Sequence, residues 1–160
     1  MTSAHLEPTD AQMERLIRSA GTESAGTEPA GTEPAGGPPG GTGTVVMLNL
    51  LRYREVADYS ATPELDPGTP CSGREAYGRY SEAVLPLLAA LGGGIEMFGP
   101  CHATLIGPED EEWDDIVLAR YPGVAAFVGM VTSPEYRAIA GHRTAALADS
   151  RLVPTGAIRP

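Results

Sequence analysis

The chain has 160 residues, 42% of them apolar, which is enough for one ordinary soluble domain with a core. Twenty-one acidic residues stand against 11 basic ones, with no lysine, for a formal charge of -10. That balance excludes nucleic acid and anionic membrane as expected partners, because counterion displacement needs a basic surface. The opening residues lack a basic start followed by an apolar block, and no apolar run approaches the roughly 18 residues of a membrane span. A cytoplasmic location is therefore expected. Cys71 and Cys101 are too few for a disulfide framework or a four-ligand zinc site, so neither a metal nor a cofactor is expected.

Thr9 to Gln12 (TDAQ) reads as a capping box, and Met13, Leu16, Ile17 and Ala20 follow at helical spacing, so residues 1–20 are an amphipathic helical segment. The AGTE repeat of residues 21–43 carries Gly and Pro but no apolar side chain to bury, and predicts a flexible linker. One folded domain then occupies residues 44–160. TVVMLNLLRYR is a strand, and SGRE at Ser72–Glu75 opens a helix with Tyr77, Tyr80, Val84, Leu87, Leu88 and Leu91 on one stripe and Pro86 inside it. IEMFG and CHATLIG read as one strand broken at Gly99 and Pro100, followed by an acidic turn and the strand WDDIVLARY. GVAAFVGMV is a short helix, Ser133 and Pro134 restart a second, and RLVPTGAI closes as a strand. This order is the split βαβ arrangement of an α+β, ferredoxin-like sandwich with an antiparallel sheet. Its helices cover one face, and a second copy of the chain is the expected cover for the other.

The segments VVMLNLLRYRE, SGREAYGRYSEAVLPLL, WDDIVLARYPGVAAFVGMV and SPEYRAIAGHRTAALADSRLVPT together resemble the family known as domain of unknown function 1330. The resemblance runs from Val45 to Thr155 and takes in the leading helix at Pro8 to Ser19; the AGTEP linker departs from it. It implies the dimeric α/β-barrel superfamily, in which two ferredoxin-like sheets face each other. That superfamily includes cofactor-free monooxygenases, isomerases, cyclases and heme enzymes such as chlorite dismutases, so the resemblance bears on fold more than on reaction.

Alternation along the first strand puts Val46, Leu48 and Leu50 on one face and Val45, Met47, Asn49, Leu51 and Tyr53 on the other. The uniformly aliphatic set suits packing under helices. The set carrying an amide and a phenol suits the wall of a cavity between the sheet and its partner. Asn49 is then either a ligand contact or the partner of a neighbouring backbone group. On the last helix Tyr136, Ile139, Ala140, Arg143 and Leu147 share a side, with His142 on the flank. Arg143 either clamps a substrate carboxylate or pairs with Asp149, Glu96 or Asp115. His142 is a candidate general base or a structurally bonded histidine, and Tyr53 a phenolic donor. Tyr77, Tyr80, Trp113 and Tyr121 are core aromatics or substrate contacts, and His102 is a weaker acid/base candidate. The expected protein is a homodimer binding a small molecule, with metal-free acid/base chemistry of isomerase, cyclase or cofactor-independent monooxygenase type on a small organic acid, ketone or aromatic. The alternatives are a noncatalytic metabolite-binding or stress-associated dimer, or an interaction module.

Overall fold

Strand β1 (Val45–Tyr53) is the centre of the molecule, hydrogen-bonded along both edges. It pairs antiparallel with β3 (Asp115–Tyr121) on one side and β4 (Leu147–Thr155) on the other, and β2 (Gly94–Pro100) extends β3. The sheet order β2-β3-β1-β4, all antiparallel, is the ferredoxin-like arrangement expected from the element order. A computed structural model describes residues 6–22, 43–108 and 110–156. Helices α1 (Asp10–Thr22), α2 (Gly73–Ala90), α3 (Val124–Thr132) and α4 (Pro134–Ala146) complete it. No described helix is long and apolar enough to cross a membrane. Residues 23–42 of the expected linker lie outside the described residues.

The helix starts follow from local chemistry. The Thr9 and Ser72 boxes both form, with Gln12 and Glu75 reaching back to the cap backbone, and the Ser133 hydroxyl accepts from the Tyr136 N–H. Two differences from expectation have clear causes. Residues 101–108 and 110–114 form a loop rather than the second half of a broken strand. Its ends are tied by the Cys101 N–H donating to the Asp114 carbonyl at 2.8 Å, while Leu105 and Ile106 stand out in solvent. The register shift falls earlier, between Ile95 and Met97. The last strand begins at Leu147, four residues before the expected start, since Leu147, Asp149 and Ser150 already pair with β1.

The larger correction concerns the two faces of β1. Met47 is 1% exposed and Leu51 0%. Leu51 packs with Tyr77 and Tyr80 of α2 and Ala145 of α4, while Val45 and Met47 pack with Leu88, Phe127 and Met130. The face carrying Asn49 is therefore the one beneath the helices. Leu48, Leu50, Ile116 and Leu118, joined by register, lie on the helix-free face with Met97 (46% exposed) and Val153 (47%). Both faces are apolar, so an aliphatic set by itself does not identify the helix side.

Residues 54–72 fold over the helix layer, with a single 3-10 turn at Pro63–Leu65. The Arg54 N–H donates to the Ala146 carbonyl and the Gly73 N–H to the Arg54 carbonyl. This brings three backbones together at Gly73. A Cβ there would collide with the Ala146 carbonyl oxygen and meet the Arg54 oxygen and nitrogen at 2.5 and 2.7 Å. Gly73→Ala should therefore destabilise the fold by about 3 kcal/mol. Gly78→Ala, in the same helix with nothing near its added methyl, should stabilise by roughly 0.5–1 kcal/mol. Urea denaturation of the two variants checks the contrast.

Candidate functional site

Helix α4 lies chiefly against α2 and α3 rather than down on β4. The gap left above the β1–β4 half of the sheet is a cavity of about 1020 Å³. Met47, Asn49 and Leu152 form its floor, and Tyr80, Tyr121, Phe127, Met130, Tyr136 and Arg143 its walls. The segment from Leu6 to Ser19, including one face of α1, forms the remaining side. Met13 and Leu16 of α1 join the apolar cluster around Val45, Met47 and Phe127. The cavity thus joins an apolar inner part to a polar and charged outer part that includes Glu7, Asp10, Arg15 and Arg137.

Asn49 enters through strand alternation. Its Nδ2 donates to the Met47 carbonyl at 3.1 Å and, at 3.5 Å, to that of Val117. Its Oδ1 accepts nothing from the described residues, which leaves an acceptor at the cavity floor. The backbone-partner alternative offered for this amide matches its Nδ2 contacts, and the hollow beside it lies under the chain's own helices rather than between the sheet and a second copy.

Arg143 reaches the same hollow from α4. Its Nη1 donates to the Leu6 carbonyl and its Nη2 to the Ser150 hydroxyl at 3.3 Å. The three acids considered as its partners are each held by another arginine: Asp115 by Arg74, Glu96 by Arg120 and Asp149 by Arg151. Among the described residues no carboxylate lies within ion-pair distance of Arg143. Its charge meets only neutral acceptors.

The tyrosines form a ladder under the sheet. Ring centroids are 5.5 Å apart for Tyr53–Tyr77, 5.4 Å for Tyr77–Tyr80 and 6.2 Å for Tyr80–Tyr136. The Tyr80 and Tyr136 hydroxyls meet at 3.3 Å on the cavity wall. At the far end Tyr53 has a structural occupation, since its hydroxyl donates at 2.8 Å to Asp115, a carboxylate 2% exposed that also takes Arg74 at 2.6 Å. Burial raises the Tyr53 phenol, and the Asp115 hydrogen bond raises it further because the carboxylate needs its proton. Burial likewise pushes Tyr77 up to about 12 and lifts Tyr80 and Tyr121, with the Arg143 charge pulling each back down in part. These phenols are hydrogen-bond donors at neutral pH, not bases.

The remaining candidates lie elsewhere. His142, one residue before Arg143, points to the opposite side of α4. Its Nδ1 is 2.9 Å from the Tyr59 hydroxyl, and its ring stands edge-on to Tyr59. Burial lowers its pKa and the nearby Arg79 lowers it further. Tyr77 packs in the core without lining the cavity. Trp113 lies beyond the sheet edge under Arg52 and Arg151, at 5.2 and 4.9 Å from their guanidinium carbons. With His102 it borders a separate depression of about 370 Å³. Cavity residues absent from the sequence-derived set include Tyr136 as a hydroxyl, Ser150, Leu152, Phe127 and Met130. Tyr136 was visible on the Arg143 stripe, whereas Ser150 required the earlier start of β4.

A model of the family described as Domain of unknown function (DUF1330) matches residues 71–155, just over half of the chain. A protein of unknown function from Rhodopseudomonas palustris is 33% identical, with 99% of this chain and 100% of that one covered and a TM-score of 0.72. Its methylated form, with 98% of that chain covered, gives 0.74. A dimeric protein of unknown function and ferredoxin-like fold from Bacteroides fragilis is 16% identical over 72% of this chain and 97% of its own, with a TM-score of 0.45. SnoaB, a cofactor-independent oxygenase from Streptomyces nogalater, is 13% identical over 74% and 97%, at 0.44. No curated protein matches the chain significantly.

The phenols set an alkaline limit on stability. Their folded pKa values lie above the ordinary value of about 10, so their contribution is full below pH 10 and is lost as pH rises toward the folded values, about 12 for Tyr77. At pH ~10.5 the folded protein should show much less phenolate absorbance at 295 nm than the urea-unfolded chain. Tyr80→Phe should leave the folded signal unchanged and reduce the unfolded one.

Proposed function

Since the chain belongs to the DUF1330 family, whose description assigns no activity, its function has to be argued from its own geometry, and we propose that it is a homodimer binding a small organic molecule in the cavity between each sheet and its own helices. The observation that carries this reading is the convergence of Arg143, Tyr80, Tyr136 and Asn49 on a hollow of about 1020 Å³ whose floor and inner wall include Met47, Phe127, Met130 and Leu152. A core that only needed filling would place hydrocarbon there, because polar groups lose solvation when buried.

The chemistry available follows from the groups present. Arg143 and the neutral phenols supply hydrogen to an oxygen that carries or develops negative charge, and Asn49 Oδ1 accepts. Such an arrangement polarises a ketone or carboxyl group and holds an enolate or phenolate, the electrostatic part of isomerase, cyclase or oxygenase chemistry. Among the described residues no histidine or cysteine lines the cavity, and its carboxylates, Glu7 and Asp10, come from the α1 segment. That inventory favours a second reading, noncatalytic binding, over proton abstraction by His142, which Tyr59 and α4 hold on the other side of the helix.

The helix-free face supports the homodimer reading. Leu48, Leu50, Ile116 and Leu118 form a contiguous apolar strip there, edged by the Arg120–Glu96 pair near one end and by Arg52, Arg151 and Trp113 near the other. An apolar centre with a polar rim is the composition of a protein interface, and the same surface on a second copy is its self-complement.

Two variants test the two halves. Leu118→Asp places a carboxylate at the middle of the sheet face and should weaken the dimer at least about a hundredfold, read by sedimentation equilibrium; a wild-type protein that sediments as a monomer at micromolar concentration would remove the interface. Ala140→Trp, on the cavity side of α4, should abolish saturation-transfer NMR signals from the neutral probe benzyl alcohol while leaving the circular dichroism unchanged. An undiminished signal would remove the cavity as the binding place.

A further inference from the structure

Resting on the cavity as the binding site, we infer that its ligand is an organic carboxylate with an apolar body, bound through Arg143 in place of the Leu6 carbonyl. Among the described residues, Arg15, Arg137 and Arg143 line the cavity together with Glu7 and Asp10, while Arg151 borders it from β4 but turns its guanidinium to Trp113 and Asp149. In a chain of net charge -10 such a lining departs from the overall acidic balance. Arg15 and Arg137 are exposed, while Arg151 is taken by Asp149. Arg143 is the half-buried member, and it is the one that reaches the floor beside Ser150 of β4.

A guanidinium presents its N–H groups in a planar fork that fits the two oxygens of a carboxylate. At Arg143 one arm is held by a backbone carbonyl from the segment that walls the cavity and the other by a hydroxyl at 3.3 Å. Both acceptors are neutral, and both are replaceable by the oxygens of one carboxylate. Such a ligand returns a full counter-charge to the arginine, which a carbonyl dipole cannot. Tyr80 and Tyr136 offer further hydroxyls nearby, and Met47, Phe127, Met130 and Leu152 form a bed for the hydrocarbon or aromatic remainder.

Displacing the Leu6 carbonyl loosens the wall that the N-terminal segment contributes. That wall is lightly held. Ile17 of α1 is largely exposed, and α1 packs mainly on α3. Ligand entry and release of residues 6–9 from Arg143 are thereby one event.

The test uses the full chain, with benzoate and its neutral counterpart benzyl alcohol as probes in saturation-transfer NMR and titration. Wild-type protein should bind benzoate roughly tenfold or more tightly than benzyl alcohol. Arg143→Gln should bring the two to near equality, and Arg143→Lys should retain part of the preference, which guards against a variant that fails to fold. Benzoate should also raise amide hydrogen exchange across residues 6–9 in the wild type. If benzyl alcohol binds and benzoate shows no advantage, the carboxylate inference is wrong while the cavity stands. If neither probe binds, the cavity reading itself falls. If benzoate binds through Arg143 with no change in exchange at residues 6–9, the exchange of acceptors is overturned.

Discussion

The two-residue period of β1 constrains everything placed on this sheet. Met47 and Leu51 are both sealed beneath the helices, and Asn49 between them has no choice of face. A slip of one residue would turn the whole set outward, so the amide is held inside by the burial of its neighbours rather than by its own hydrogen bonds. Register carries the constraint outward from β1. Val117 and Leu152 sit opposite Asn49, and Asp115 and Ser150 sit opposite Leu51. The same alternation that packs the core therefore delivers an amide, a hydroxyl and a carboxylate to the helix side.

Those three polar groups meet different fates. Asp115 lies at the far end of the ladder, 2% exposed and outside the cavity lining, so its charge is met on the spot. Tyr53 and Arg74 do this, and the Arg74 guanidinium also covers the Tyr53 ring at 4.6 Å. A buried carboxylate with one partner removed is far more costly than the intact pair is stabilising, so this cluster is structural in effect. Asn49 and Ser150 lie where α4 stands away from β4, and they face space that side chains do not fill. Tyr53 and Tyr80 thus belong to one aromatic run, yet only the Tyr80 end borders the cavity.

This division explains what could be read from residues alone. The helices, their caps and the strand order were legible because Thr9, Ser72 and Ser133 act locally and the apolar periods are regular. The faces of β1 were not. Val46, Leu48 and Leu50 are as apolar as Met47 and Leu51, and a sheet with two apolar surfaces gives both alternating sets the character of a core. Asn49 stood out by composition, but its direction depends on which surface the helices choose. Arg143 was visible as a cation on an apolar stripe. Its lack of an acidic partner was not, because Glu96, Asp115 and Asp149 are committed to other arginines only through the fold. The CHATLIG segment has strand-like composition and no partner strand, so it became a loop.

His142 gains a physical role from the question of why the hollow survives. Helix α4 would gain apolar contact by settling onto β4, and something has to hold it up. The 54–72 segment grips it from behind. Gly141 fits so closely under Thr62 and Leu65 that an added Cβ would stand 2.7 Å from each, and Tyr59 meets His142 at 2.9 Å. At Gly73 the backbones of Arg54 and Ala146 close the same grip at the end of the helix. Successive residues on a helix point about 100° apart, so gripping 141 and 142 on the outer side leaves Ala140, Arg143 and Thr144 turned inward. Of the two readings offered for His142, general base or structurally bonded histidine, the contact with Tyr59 matches the second, on the helix that also carries Arg143. The burial that lowers the histidine's pKa suits that neutral, hydrogen-bonded position.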